Sequence, residues 1–236
     1  MASMAHRVAK GLVGGCALLL GVSLSGCAAP QYTDVFDPGA NIHFEVPYGW
    51  HQISGPSLIS EMRPLDPGGE WMVAYQAGPK PKAADFLSFD ASQPFVFAES
   101  GTLSPTLSRE MSDQMLRDFF LPVTPTGRQT AVAQGFPGTA FRLIRDQVLT
   151  LSRGVHGVRD TFDYTIPAGS TPAGGTDTFD VDALTNADQT AVFLLVVHCT
   201  TVCYSKYQTE IEHRMSSVSV SGSGSPKPSW PGLRGR

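Results

Sequence analysis

From Asn41 the chain alternates. Ile42, Phe44 and Val46 are apolar and His43 and Glu45 polar, the period of a half-buried strand, and Pro47-Tyr48-Gly49 turns the chain into Trp50. Leu58–Met62 and Trp71–Gln76 read as further strands, divided by the turn signal Pro67-Gly68-Gly69, so the first third predicts an antiparallel meander. Residues 83–97 fit neither period. At Ser104 the period changes: Leu107, Met111, Met115 and Phe119 recur every fourth residue, Ser104 can cap, Pro105 suits a first helical position and Pro122 ends the run, which predicts one helix. Thr130–Ile144, folded about Gly135-Phe136-Pro137-Gly138, predicts a hairpin. Gly157–Ile166 and Thr178–Leu184 predict strands on either side of a Gly- and Pro-rich loop. Ala191–Val197 is apolar at every position, which predicts a central strand covered on both faces by helices. One cover is the last predicted helix, Tyr204 to about Ser216, with Tyr204, Tyr207, Ile211 and Met215 turned inward. The expected class is α+β, an antiparallel sheet between helices.

The ends of the chain differ in character. His6, Arg7 and Lys10 precede an apolar run from Leu12 to Leu24, the layout of a secretory signal. A spanning helix needs about 20 apolar residues, and this run is shorter and contains three glycines. Leu24-Ser25-Gly26-Cys27 resembles the bacterial lipobox, in which the cysteine thiol takes a diacylglyceryl group and becomes the mature N-terminus. Residues 1–26 are therefore expected to be removed and Cys27 to hold the protein on the extracytoplasmic face of the cell membrane. Two acyl chains suffice for stable anchoring. The alternative is ordinary cleavage near Ala28 and Ala29 with release of a soluble product. Residues 27–40 lack periodicity and suit a lipidated tether, 41–220 form the expected domain, and 221–236, rich in Gly, Ser and Pro, suit a disordered tail.

Loss of the signal takes two of the seventeen basic residues and none of the twenty-one acidic ones, leaving the remaining chain at net −6. No basic patch for nucleic acid is implied. Thirteen Phe support a buried core, and eighteen Pro with twenty-four Gly imply many turns. Cys199 and Cys203 are the thiols left after Cys16 and Cys27 are accounted for. Outside the reducing cytosol, with three residues between them, they are expected to form a disulfide. His198 and His213 extend these cysteines to a His-Cys-x3-Cys-x9-His pattern, but the spacing matches no common zinc module and oxidised thiols do not ligate, so no metal is expected there.

Familiar one-line enzyme signatures are missing from the sequence: no Gly-x-Ser-x-Gly elbow, no Ser-x-x-Lys, no His-Glu-x-x-His and no phosphate-cradling glycine loop. His43, His51, His156, His198 and His213 are read as surface or hydrogen-bonded residues, though a triad assembled across the fold stays open. Asp177, Asp180, Asp182 and Asp188 are the best candidates for a calcium site. Leu184 falls where an EF-hand would place an oxygen, however, and alternation along a strand explains the carboxylates as a solvated face. The Leu107, Met111, Met115 and Phe119 stripe could line a lipid groove, with core packing the alternative.

The opening Phe44-x-Val46-Pro47-x-Gly49-Trp50, together with a long buried strand running through Cys199 and Cys203-Tyr204 into a C-terminal helix, resembles the PsbP-like domain of small actinobacterial lipoproteins, the LpqN and LpqT group. The resemblance spans Asn41 to about Val220. It implies an α/β/α sandwich, no cofactor and no catalytic residue, and an accessory role in the cell envelope with a protein partner. A lipid or glycolipid carrier with an apolar groove is the first alternative, and a hydrolase with a dispersed active site the second.

Overall fold

The computed structural model describes residues 31–37, 41–62, 69–78, 80–86, 91–135, 140–165 and 175–220. The predicted signal, Cys27 and the C-terminal tail lie outside them. Strands β1 (Tyr32–Asp37) and β2 (Ile42–Pro47) are followed by β3 (His51–Ile53), helix α1 (Gly55–Met62), β4 (Gly69–Gln76) and β5 (Phe95–Thr102). Three short helices come next, α2 (Pro105–Glu110), α3 (Asp113–Arg117) and α4 (Pro125–Ala133). The chain then runs through β6 (Ala140–Thr150), β7 (His156–Thr165), β8 (Thr176–Thr185), β9 (Ala191–Thr200), α5 (Thr201–Ser217) and β10 (Ser219–Val220).

Among the described residues all strand pairs are antiparallel, and they form a seven-stranded sheet in the order β3-β4-β5-β9-β8-β7-β6 and a three-stranded sheet in the order β1-β2-β10. The unbroken apolar run of β9 thus sits in the middle of the large sheet, and Val192–Cys199 are all buried. Phe193, Leu195, Val197 and Cys199 point into a core closed by α5 and by Ile42, Phe44 and Val46 of the small sheet. Val192, Leu194 and Val196 point the other way, into a core with Phe95, Phe97, Phe162 and Phe179 that is closed by Leu58 of α1 and Leu116 of α3. Each such side chain contributes about 1.5–3 kcal/mol on leaving water, so the two faces are comparable in weight.

Cys199 at the end of β9 and Cys203 in the first turn of α5 are joined in a disulfide, their Cα atoms 5.8 Å apart. Thr200 caps the helix, its hydroxyl accepting from the Cys203 amide at 3.3 Å. Cap and disulfide together fix the reversal that lays α5 back over the sheet.

Four segments differ from the sequence expectation. Leu58–Met62 belongs to α1 and not to a strand: Pro56 stands in the first turn, Ser54 accepts from the Ser57 amide at 3.4 Å, and one apolar turn of helix has too short a pattern to tell from a strand. The helix expected from Ser104 is broken in two. Ser104 caps α2 as expected, but Ser112 is a second cap, accepting from the Met115 amide at 3.3 Å, and Met111 between them is extended. Thr130–Ile144 is no hairpin, because Pro125 and the Thr124 cap start α4, which runs to Ala133 before β6 begins. Finally, Tyr32–Asp37, assigned to the tether, pairs along its whole length with β2. Asp37 and Val35 are buried there despite the missing period.

The broken stripe predicts unequal contributions. Met111 is 7% exposed and Leu107 38%. Met111→Ala should lower unfolding stability by about 2–3 kcal/mol and Leu107→Ala by less than about 1 kcal/mol, as read from urea melts. Equal losses would restore a single continuous stripe.

Candidate functional site

The carboxylates singled out from the sequence do not converge. Asp180 and Asp182 point from β8 toward α5, Asp177 points to the opposite face, and Asp188 is exposed in the turn after β8. The solvated-face reading is also overturned for the first three, which are fully buried. Asp182 is gripped by Arg159 of β7 through two contacts of 2.6 Å, and Arg159 also donates to the Met215 carbonyl of α5. Asp180 accepts from Tyr204 at 3.0 Å and from Thr161 at 3.2 Å, while Asp163 accepts from Thr178 at 2.7 Å. Burial raises the pKa of Asp182 to about 6 against the pull of Arg159, and burial likewise raises Asp180. This polar layer glues α5 to β7 and β8. Among the described residues no group of three or more His, Cys, Asp and Glu side chains is placed to hold a metal ion.

The histidines are dispersed. His198 lies in the core, its Nδ1 3.4 Å from Asp177 Oδ2 and its ring stacked on Phe179 at 4.9 Å, so this acid–imidazole pair faces protein and not a cleft. His213 pairs with Glu45 at 2.9 Å and His43 with Asp34 at 3.0 Å, both at the surface. His156 meets the Gly154 carbonyl at 3.1 Å, and His51 is exposed on β3. A shallow cleft of about 460 Å³ is lined by Gln52, Ser54, Ser57, Lys82 and their small neighbours. It includes neither Met nor Phe. Of the proposed groove stripe, Met111 is in the core and Met115 and Phe119 pack against it.

What stands out is strand β6, the outermost strand of the large sheet. The opposite edge is β3, three residues long, a length that discourages pairing. β6 is eleven residues long, and among the described residues no strand pairs with its outer side. Leu143, Ile144 and Val148 are 45%, 51% and 54% exposed, with Ile144 at a break in register between Leu143 and Arg145. The charged side chains of β6 are each paired with a residue of the body, Arg142 while remaining 71% exposed. Arg142 pairs with Asp163 of β7 at 2.5 Å, Arg145 with Glu212 of α5 at 3.2 Å, and Asp146 with Arg117 of α3 at 2.8 Å. Arg128 of α4 stacks over the ring of Phe141 at 4.5 Å. Each exposed pair adds little stability. Jointly they anchor the strand at four points, while Leu143, Ile144 and Val148 stay exposed.

Asp160 of β7 lies directly across from Asp146 and is 2% exposed, with one carboxylate oxygen unpaired. Burial, then the facing Asp146 charge, raise its pKa to about 7, with Arg117 opposing and Asp118 adding to the rise. The sequence held no signal for Asp160 as a perturbed group, since pairing register decides which residue it faces. The exposed edge was partly visible as Phe141-Arg-Leu-Ile-Arg-Asp-Gln-Val-Leu149, a long mixed run without clean alternation.

No protein-family model matches this sequence. No curated protein matches it either. Among solved structures it is similar to the cyanobacterial PsbP protein of Synechocystis (13% identity, TM-score 0.47, covering 84% of this chain and 98% of that one). It is also similar to LpqN of Mycobacterium tuberculosis, described as involved in cell envelope biogenesis (15%, 0.42, 81% and 91%). A third is the Ran-binding protein Mog1p of Saccharomyces cerevisiae (9%, 0.41, 81% and 96%).

The Asp146–Asp160 pair predicts a pH effect of defined sign. A folded-state pKa above the unfolded one favours folding at low pH, and that contribution is lost as pH rises through about 7. Asp160→Asn should therefore stabilise the protein by roughly 1–4 kcal/mol at about pH 8 and progressively less as pH falls toward about 5. Thermal melts across that range check it, and a gain independent of pH would contradict it.

Proposed function

We propose that this chain is a lipoprotein held by acylated Cys27 on the extracytoplasmic face of the membrane, where it serves as a non-catalytic accessory protein that binds an envelope protein by strand addition at β6. The carrying observation is the edge itself: eleven residues, three of them large, apolar and exposed, on a strand whose charges are neutralised from within. Strand addition takes affinity from main-chain hydrogen bonds and specificity from alternate side chains. The partner that fits is an extended, uncharged segment with alternating apolar residues, because a charged strand would find no free counter-charge along β6. The anchoring part of the proposal rests on the lipobox-like Leu24-Ser25-Gly26-Cys27 and the signal-like run before it.

Two experiments test the two parts. Mass spectrometry of the protein from its own host should show a diacylglyceryl mass on a chain beginning at Cys27, and Cys27→Ala should abolish membrane retention; retention without lipid would refute the anchor. A photo-crosslinking residue at Ile144 should trap one envelope protein through an extended segment, while the same residue at Val202, 83% exposed on α5, should not. Leu143→Lys with Val148→Lys should remove the product at unchanged melting temperature. Crosslinks equal at both positions would overturn the docking edge, and a crosslink to a second copy of the chain would replace the partner by self-association.

A further inference from the structure

Arg214 of α5 is the least satisfied charged group among the described residues. Its side chain is fully buried, and none of its three guanidinium nitrogens has a hydrogen-bond partner. The carboxylate it is paired with, Glu210 one turn earlier on the same helix, is 3.7 Å away and half exposed. Glu45 is engaged by His213 at 2.9 Å. What surrounds the guanidinium is aromatic: its carbon lies 5.0 Å from the centre of the Trp50 ring and 5.4 Å from that of Tyr32. Desolvation lowers its pKa to about 10, which leaves it charged at neutral pH. Aromatic faces offset part of a buried cation's cost but accept none of its five N–H bonds. A fold with only stability to satisfy would do better with an apolar residue of that volume.

We infer that the Arg214 guanidinium, framed by Trp50 and Tyr32, is a binding site for a phosphate-bearing anion. The planar fork supplies two parallel donors for a pair of phosphate oxygens, and the rings exclude water from them. The route in is through Tyr32. It belongs to β1, an edge strand of the small sheet held by β2, and it is half-buried. Among the described strands β1 pairs with β2, so displacing it would uncover the guanidinium and leave the strand pairing of the large sheet intact. Tyr32 also stands five residues after Cys27, a span of at most about 18 Å of extended chain. The main chain just before it, at Gln31, accepts from the amide of Tyr48, whose side chain is 73% exposed. If Cys27 carries lipid, the site is within reach of the headgroup layer, where exposed tyrosines also concentrate. The same chemistry would bind free phosphate, and the two sources separate by experiment.

The full lipidated protein is held in dodecyl maltoside micelles, which carry no phosphate, with or without one-third phosphatidylglycerol, and melted in millimolar inorganic phosphate or in chloride of equal ionic strength. Phosphate should raise the melting temperature by about 3 °C or more in wild type and not in Arg214→Met, which should fold at least as well as wild type. A matching rise from phosphatidylglycerol identifies the headgroup as the source; a rise with inorganic phosphate alone identifies a soluble one. Arg214→Lys, which keeps the charge but not the planar fork, should lose most of the rise, a full rise there would contradict the fork, and it keeps the test intact should Arg214→Met fail to fold. No rise in either condition, or an equal rise in Arg214→Met, overturns the site. Should the protein prove unlipidated, the phosphate comparison stands unchanged in solution.

Discussion

Eight consecutive buried residues, Val192–Cys199, impose the architecture. A strand apolar on both faces needs cover on both, and each cover here is assembled differently. One is a single long helix with a three-stranded sheet beside it, positioned by the cap at Thr200 and the Cys199–Cys203 disulfide. The other is a set of short elements, α1 and α3 with the turns around them, packed on a phenylalanine cluster in which Phe162 and Phe179 stack at 5.4 Å. With β9 central, the hydrogen-bonded sheet grows outward on either side and must end at two edges. The chain blunts one by brevity and leaves the other long.

The polar layer beneath α5 connects this core to the proposed function. A helix packed only by apolar contacts could slide along a sheet, whereas Arg159–Met215, Tyr204–Asp180 and Arg145–Glu212 tie α5 to β7, β8 and β6 at fixed positions. The Arg145 tie and its counterparts at Arg142 and Asp146 also set how β6 is presented. An edge that is ordered before a partner arrives loses less entropy on binding. The buried carboxylates would thus act at a distance from the proposed docking surface: they hold α5, and through Arg145 the helix holds β6.

Legibility in the sequence followed local constraint. The alternation of Ile42, Phe44 and Val46, the all-apolar run of β9 and the stripe of α5 each reflect a face that must be dry, and the α+β antiparallel class follows from them. Misreadings occurred where a short cap residue outweighed a pattern. Ser112 split one stripe in two, and Thr124 with Pro125 opened a helix that runs into what resembled a hairpin. The carboxylates of β8 show a different limit. Alternating Asp residues on a strand look solvated in one dimension, and only the arrival of Arg159 and Tyr204 from other elements makes burial tolerable. Arg214 was more accessible to reasoning, since it stands three residues after Ile211 on the inward stripe.

The most direct test of the account is amide hydrogen exchange of β6, measured on the purified protein and again on the protein in its native envelope. The outward amides of Ala140–Thr150 should exchange freely in isolation and slow by about a hundredfold in the envelope, with little change on the exposed face of α5. Identical exchange of β6 in both states would show that no strand adds there, and the proposed docking edge would have to be abandoned.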